Sequence, residues 1–272
     1  MKLAYDLGGH NGDDTEHYMR EGYRTICIEA APNLVEKLKA RFSAEIALGK
    51  CVVLGVAIGN TAGTLPFYLC RESAIWNSFD KTMASRNGYH ADEIQIPFRR
   101  LDSVIAEYGV GEFVKIDIEG ADDIAVMSFT RETAPKYLSF EAGRGAANLI
   151  AHLQSIGYTR FNLIRQDTWQ PVIIPKPGTL AHTKWSSRQW LRLWLRRHPA
   201  ILGMLKRTKS SKEGTHAGVA TGLYKVDSSG PTPMEHKDGW RNLDELMHDW
   251  EAVLYSGMID TVWYDIHAAK AL

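Results

Sequence analysis

KLAYDLGGHNGDDTEHYMREGYRTICIE, residues 2–29, is the segment around which the rest of the chain is arranged. It opens with β-type apolar residues, reaches Asp6, and breaks into Gly8, Gly9, His10, Asn11 and Gly12. Glycine lacks a Cβ, so the backbone can turn sharply here and come close to a ligand. A helix follows, capped by Asp13, Asp14 or Thr15. Gly22 turns the chain into a second strand, residues 25–28, which closes on Glu29. Strand, glycine turn, helix, strand and terminal acid make half of a nucleotide-binding α/β unit.

A dinucleotide site offers helix N-terminal amides to a pyrophosphate, and acids beside that turn would repel it. Asp6 stands at the strand tip, Asp13 and Asp14 follow the last glycine, and the turn holds no Lys or Arg. That setting suits a cation. S-adenosylmethionine carries a sulfonium and an ammonium group and no phosphate, and an acid such as Glu29 can accept hydrogen bonds from its ribose diol. The pattern Asp-x-Gly-x-x-x-Gly with an acid closing the next strand is more specific than a lone glycine-rich turn.

A length of 272 residues allows one large domain, or one with an appendage. Lys plus Arg and Asp plus Glu number 32 each, so the chain as a whole lacks the basic excess of a nucleic-acid binder. Cys27, Cys51 and Cys70 sit in apolar, strand-like contexts without metal-ligand spacing, and read as buried thiols of a reducing compartment. The first strand begins almost at Met1 and no run is long and apolar enough to span a bilayer. The expected location is cytoplasmic.

Beyond Glu29, residues 33–42 space their apolar positions as a helix does, after Pro32. Residues 51–58 form a continuous apolar run, expected as one strand buried on both faces. Residues 64–70 and 93–99 read as strands, and 101–108 as a helix. Between those two strands, residues 71–90 form a polar and aromatic loop with Trp76, Asn77 and Phe79, long enough to be a binding loop. Residues 113–119 read as a central strand that nonetheless carries Lys115, Asp117 and Glu119 along one edge. Buried charge is costly unless paired or used, and ligands bind at the carboxyl ends of parallel strands. The bland alternative is a Lys115 salt bridge that staples the sheet. A helix over 121–129, a strand over 137–140 ending in Glu141, a helix over 146–156 and a strand over 158–164 complete this half. Acids thus recur at four strand ends: Asp6, Glu29, Asp117 or Glu119, and Glu141.

The blocks DLGGHNGD, IEAAP, VAIGN, RLDS, VKIDIEGAD and SFEAG, in this order over residues 3–165, resemble the FkbM-type methyltransferases, which use S-adenosylmethionine. The resemblance implies methylation of hydroxyl oxygens in sugars or natural products. It implies that Asp6, Gly8 and Gly12, with Gly9 and Asn11, shape the methionine end of the cofactor site. Glu29 would hold the ribose beside Ala30, Ala57 and its neighbours to 59 would flank the adenine, and Asp117 and Glu119 would close the pocket on the substrate side. The chain departs from the family pattern where His10 and Asn11 stand in place of Asn and an apolar residue. For a hydroxyl acceptor the candidate bases are Glu119, Glu141 and His10, with Glu119 favoured. His10 can equally be a hydrogen-bonding residue at a helix start. A divalent ion held by Asp117, Glu119 and Glu141 is chemically allowed but not the favoured reading.

From residue 167 the pattern changes. A proline-bearing loop leads to residues 184–198, where Ser186 or Ser187 can cap a helix. Trp190, Leu191, Trp194 and Leu195 share one face of it and Arg188, Arg192 and Arg196 another. Basic residues continue to Lys212. Three readings stand side by side: a lid over the catalytic domain, a peripheral membrane-surface helix, and a dock for an acidic glycan. Residues 219–226 read as the last strand, antiparallel to 158–164, residues 228–237 as a linker, and 240–254 and 259–269 as two terminal helices.

The organisation expected is a Rossmann-like class I methyltransferase fold with a mostly parallel seven-stranded sheet and an antiparallel last strand. Residues 1–166 plus 218–227 would form it, 167–217 a basic helical insertion, and 228–272 a helical tail. The expected activity is O-methylation of a carbohydrate or glycan-like hydroxyl. A small natural product as acceptor, or an inactive binding module on the same fold, is the alternative.

Overall fold

The computed structural model describes residues 1–197, 229–260 and 262–271. In chain order the first elements are β1 (Lys2–Leu7), α1 (Asp13–Arg20), β2 (Tyr23–Glu29), α2 (Pro32–Arg41), α3 (Ser43–Ala47) and β3 (Cys51–Gly55). Next come β4 (Ala57–Ile58), β5 (Gly63–Cys70), α4 (Lys81–Ala84), β6 (Ala91–Arg99), α5 (Leu101–Tyr108) and β7 (Phe113–Ile116). Then follow α6 (Asp122–Met127), β8 (Tyr137–Glu141), α7 (Ala146–Ser155), β9 (Tyr158–Arg165) and β10 (Gln170–Pro171). The last described elements are α8 (Leu180–Arg197), α9 (Leu243–Tyr255) and β11 (Tyr264–Lys270).

The main sheet runs β10-β9-β11-β8-β7-β1-β2-β3. Strands β3, β2, β1, β7 and β8 are mutually parallel, while β11 lies antiparallel between β8 and β9. Side chains alternate between the two faces of a strand. Tyr5, Ile26 and Val114 therefore join the large core beneath Val104, Val126, Ile150 and Trp250 of α5, α6, α7 and α9. Their neighbours Ala4, Cys27 and Phe113 face the other way, toward Tyr18 of α1 and Leu38 of α2. Burial on both faces explains why these strands are largely apolar.

Several sequence expectations are corrected. The apolar run at 51–58 is two strands, because the chain leaves the main sheet after Gly55 and Ala57–Ile58 pairs with β6 in a small second sheet ordered β4-β6-β5. No side chain caps α1; Gly12 occupies that position at φ +87°. Helix α8 starts at Leu180, before Lys184, because Thr179 Oγ1 accepts from the His182 amide at 3.1 Å. Ser187 lies inside the helix and donates to the Thr183 carbonyl at 2.8 Å.

The largest correction concerns the C-terminus. Residues 264–270 are a strand and not part of a helix, and they supply the antiparallel neighbour of β9 that the sequence assigned to 219–226. Residues 219–226 lie outside the described residues. Tyr264, Ile266 and Ala268 point into the core and alternate with Asp265 and His267, a period of two that the surrounding apolarity masked. Residues 228–272 are thus no helical tail, since their end completes the main sheet. The expected linker is also a packed strap. The Ser229 amide donates to the Asp14 carboxylate at 3.0 Å, Glu235 meets His17 at 3.1 Å, and Arg241 pairs with Phe161. Asn242 and Glu245 then form the capping box that starts α9.

Candidate active site

A cavity of about 710 Å³ opens at the carboxyl ends of β1, β2, β7 and β8, within the size range of small-molecule sites. Its floor is the glycine turn. Gly8 has φ +86°, and a Cβ there would sit 1.8 Å from the Asp117 carbonyl oxygen; one on Gly9 would sit 2.2 Å from Cys27 Sγ. The Gly8 and Gly9 amides both donate to the Ile28 carbonyl, at 2.9 and 3.1 Å, and the Gly12 amide donates to Gly9 at 2.7 Å. The His10 amide donates to Glu29 Oε2 at 2.9 Å. Four amides that a phosphate would need are therefore engaged within the protein. Glu29 also accepts from the Ala31 amide at 2.9 Å, so its carboxylate is fixed while spare lone pairs remain for hydroxyls.

Behind the turn lies a closed charge cage. Asp6 of β1 is in register with Lys115 of β7, which brings the two side chains to 3.3 Å. Asp14 and Asp117 each reach the same ammonium at 3.6 Å, and it donates to the Gly8 carbonyl at 3.0 Å. Thr15 donates to the other Asp6 oxygen at 2.6 Å. Burial works against the Lys115 charge, but Asp6, Asp117 and Asp14 outweigh it and hold the pKa well above its usual value. Asp6 is fully buried and lies outside the cavity lining, so it braces the site from below. Gly12 is also outside the lining; a Cβ there would sit 2.7 Å from Leu38 and from Phe42. The stapling role for Lys115 and a site at the strand tips thus coexist.

Toward the open side the acids lie outside this cage. Strand β7 ends at Ile116, so Glu119 does not continue the Lys115–Asp117 edge. Glu119 has φ +39°, an uncommon backbone for a non-glycine residue, and the 71–90 loop clasps it twice. Ser78 donates to its carbonyl at 2.7 Å, and Arg86 reaches its carboxylate at 3.1 Å while lying 4.2 Å over the Trp76 ring. Burial and Asp117 push the Glu119 carboxyl up to about 7 against the pull of Arg86. Burial, then Asp117, Asp265 and Glu119, push Glu141 up to about 9. Asp265 of β11 sits opposite Glu141, and burial raises it to about 7 although Gln166 donates to it at 2.7 Å. Groups held near neutrality in a cleft are poised for proton transfer.

Ten of the twelve residues singled out from the sequence share the cavity: Gly8, Gly9, His10, Asn11, Glu29, Ala30, Ala57, Asp117, Glu119 and Glu141. Leu34, Ile58 and Phe67 give the Ala57 end an apolar wall. The sequence missed Trp169, Trp263, Gln166 and Ser229 in the lining, and Arg86 behind Glu119. Among the described residues no group of three or more His, Cys, Asp or Glu side chains is placed to hold a metal ion. Asp117, Glu119 and Glu141 line one cavity without forming such a group.

The description "Methyltransferase FkbM domain" matches residues 6–158. The chain belongs to this family. FkbM-domain proteins are S-adenosylmethionine-dependent methyltransferases, and the sheet order with antiparallel β11 is that of the Rossmann-like class I fold. Among the described residues, the main sheet holds the two-residue β10 beside the parallel strands, β9 and β11. Among solved structures, the chain is similar to a precorrin-6y C5,15-methyltransferase from Geobacter metallireducens, at 10% identity over 61% of this chain and 68% of that one, TM-score 0.34. It is similar to a TehB-like SAM-dependent methyltransferase from Corynebacterium glutamicum, at 9% identity over 62% and 70%, TM-score 0.30. A third is the O-methyltransferase from a trans-AT PKS multienzyme of Brevibacillus brevis in complex with S-adenosyl-L-homocysteine, at 9% identity over 99% and 67%, TM-score 0.36. No curated protein matches the chain.

Proposed function

We propose that this FkbM-family enzyme methylates a hydroxyl of a carbohydrate or glycan-like acceptor, with Glu119 as the general base. S-adenosylmethionine, when bound, supplies a methyl group on a sulfonium that departs as a neutral thioether. The chain's residues do the rest. Glu29 and Ala30 receive the ribose, Ala57 and Phe67 the adenine, and Gly8, Gly9 and Asn11 the methionine end. Asp117 places negative charge near the sulfonium. Glu119, as carboxylate, takes the hydroxyl proton while the new C–O bond forms, a contribution of about 10²–10⁴-fold.

The observation that carries this reading is one cavity lined by carboxylates held near neutrality and by the indole of Trp263. A sugar presents hydroxyls to acids and an apolar ring face to an aromatic side chain. Ile259 and Val262 in the same lining favour a second acceptor class, a hydroxylated small natural product. The free, buried Cys27, Cys51 and Cys70 fit a reducing, cytoplasmic setting.

Methyl transfer from labelled donor to a panel of neutral glycans and hydroxylated natural products, read by mass spectrometry, tests it. A methyl ether on a glycan is expected, with kcat for Glu119→Gln lowered about 10²–10⁴-fold. Methyl on nitrogen or carbon, or a Glu119→Gln enzyme with wild-type kcat, would overturn it. Donor binding without turnover on any acceptor would return the inactive-module reading.

A further inference from the structure

Helix α8 turns three large apolar side chains, Leu180, Trp190 and Leu191, to solvent. A surface helix turns its apolar stripe to the core. Among the described side chains of α8, Gln189 is buried, 8% exposed, and Trp185 and Trp194 are half-buried, while Trp190 is 65%, Leu191 48% and Leu180 71% exposed. Leu180, Lys184 and Leu191 fall four and seven residues apart and so share one side. Lys184 and Arg188 are exposed beside them.

Charge points in the same direction. Residues 168–212 contain ten Lys or Arg and no Asp or Glu, in a chain whose formal net charge is zero. The cationic excess is thus concentrated in the segment that carries the outward tryptophan. Among the described residues no helix is long and apolar enough to cross a membrane. Tryptophan and leucine flanked by Lys and Arg on a helix of this kind match a bilayer interface, where the rings enter the headgroup region and the cations meet anionic lipid.

We infer that α8 docks the protein on the surface of an anionic lipid bilayer. Gln166 and Trp169 before α8 and Ser229 after it all line the cavity. Docking therefore tethers the cavity rim to the lipid surface, where an acceptor with a lipid anchor can be presented. The docking itself does not depend on which acceptor is methylated.

The test is co-sedimentation of the full chain with phosphatidylglycerol–phosphatidylcholine vesicles and with phosphatidylcholine alone, at low and high salt. Binding to the anionic vesicles alone, weakening as salt rises, is expected. Trp190→Glu with Leu191→Glu should reduce partitioning by at least about tenfold, with affinity for S-adenosylhomocysteine unchanged as proof that the cavity is intact. Should that variant fail to fold, Lys184→Glu with Arg188→Glu gives the same readout. The inference is overturned if anionic vesicles do not pellet the protein, or if a folded variant binds them like wild type. It is equally overturned if the substitutions abolish a concentration-dependent dimer and no vesicle binding is seen, since a second copy would then cover the face.

Discussion

Two sets of carboxylates meet at the carboxyl edge of the sheet; burial raises members of both, Asp6 to about 6, and the sets differ in the cation that opposes it. The inner set, Asp6 and Asp14, closes on Lys115 within 3.6 Å and is shut away from solvent. The outer set, Glu119, Glu141 and Asp265, has Arg86 at 3.1 Å from Glu119 and is raised to between about 7 and about 9 by burial and then by Asp117 and its own members. An acid at a strand tip is therefore not a ligand by position alone. Whether a fixed cation has already claimed it decides between bracing and chemistry.

Removing the inner cation should have the largest effect. Lys115→Met strands Asp6 without compensation and should destabilise the fold by about 3–5 kcal/mol, measured by urea unfolding. A loss below about 1 kcal/mol would mean that the cage braces nothing.

Arg86 should act on rate and hardly on stability. With Arg86→Gln the Glu119 carboxyl loses its opposing charge and its pKa rises, so the acidic limb of kcat/KM moves to higher pH. At neutral pH the cost should be about tenfold, with unfolding free energy changed by less than about 1 kcal/mol, as for a pair with both partners partly exposed. An unmoved pH profile would remove Glu119 from the proton-transfer role.

The smallest effect is a slope. Glu119 near 7, Asp265 near 7 and Glu141 near 9 all lie above their unfolded values of about 4. The folded state binds protons more tightly, so this stabilisation is complete below the unfolded values and is lost as pH rises through 7 and 9. Melting temperature of the donor-free protein should fall between about pH 7 and about pH 9. Glu141→Gln, which keeps the shape without the charge, should flatten the upper part of that fall. A melting temperature that rises over the same interval would contradict it.

The legibility of the two sets in the sequence follows the same physics. Gly8, Gly9 and Glu29 were readable because their role is local: a turn without Cβ atoms and an acid two residues from the amide it binds. Lys115 announced a partner by being a lone cation in an apolar strand, but which acids it takes depends on the pairing of β1 with β7. Asp265 was hidden because Tyr264–Lys270 is buried on both faces between β8 and β9, so its alternation is faint. Arg86 was hidden more deeply, since a single arginine in a loop gives no sign that it lands on Glu119, 33 residues away. The four features the sequence missed in the lining, Trp169, Trp263, Gln166 and Ser229, all come from the part of the chain whose placement rests on tertiary contacts.

A calorimetric comparison of S-adenosylmethionine with S-adenosylhomocysteine, at about pH 6 and at about pH 9, bears most directly on the charge argument. The two ligands differ by the methyl group and its sulfonium charge. As the outer carboxyls ionise, the preference for the charged ligand should grow several-fold, about one order of magnitude at most. A preference that stays constant across that interval, or no binding of either ligand, would contradict the view that the outer acids at the sheet edge receive the cationic donor.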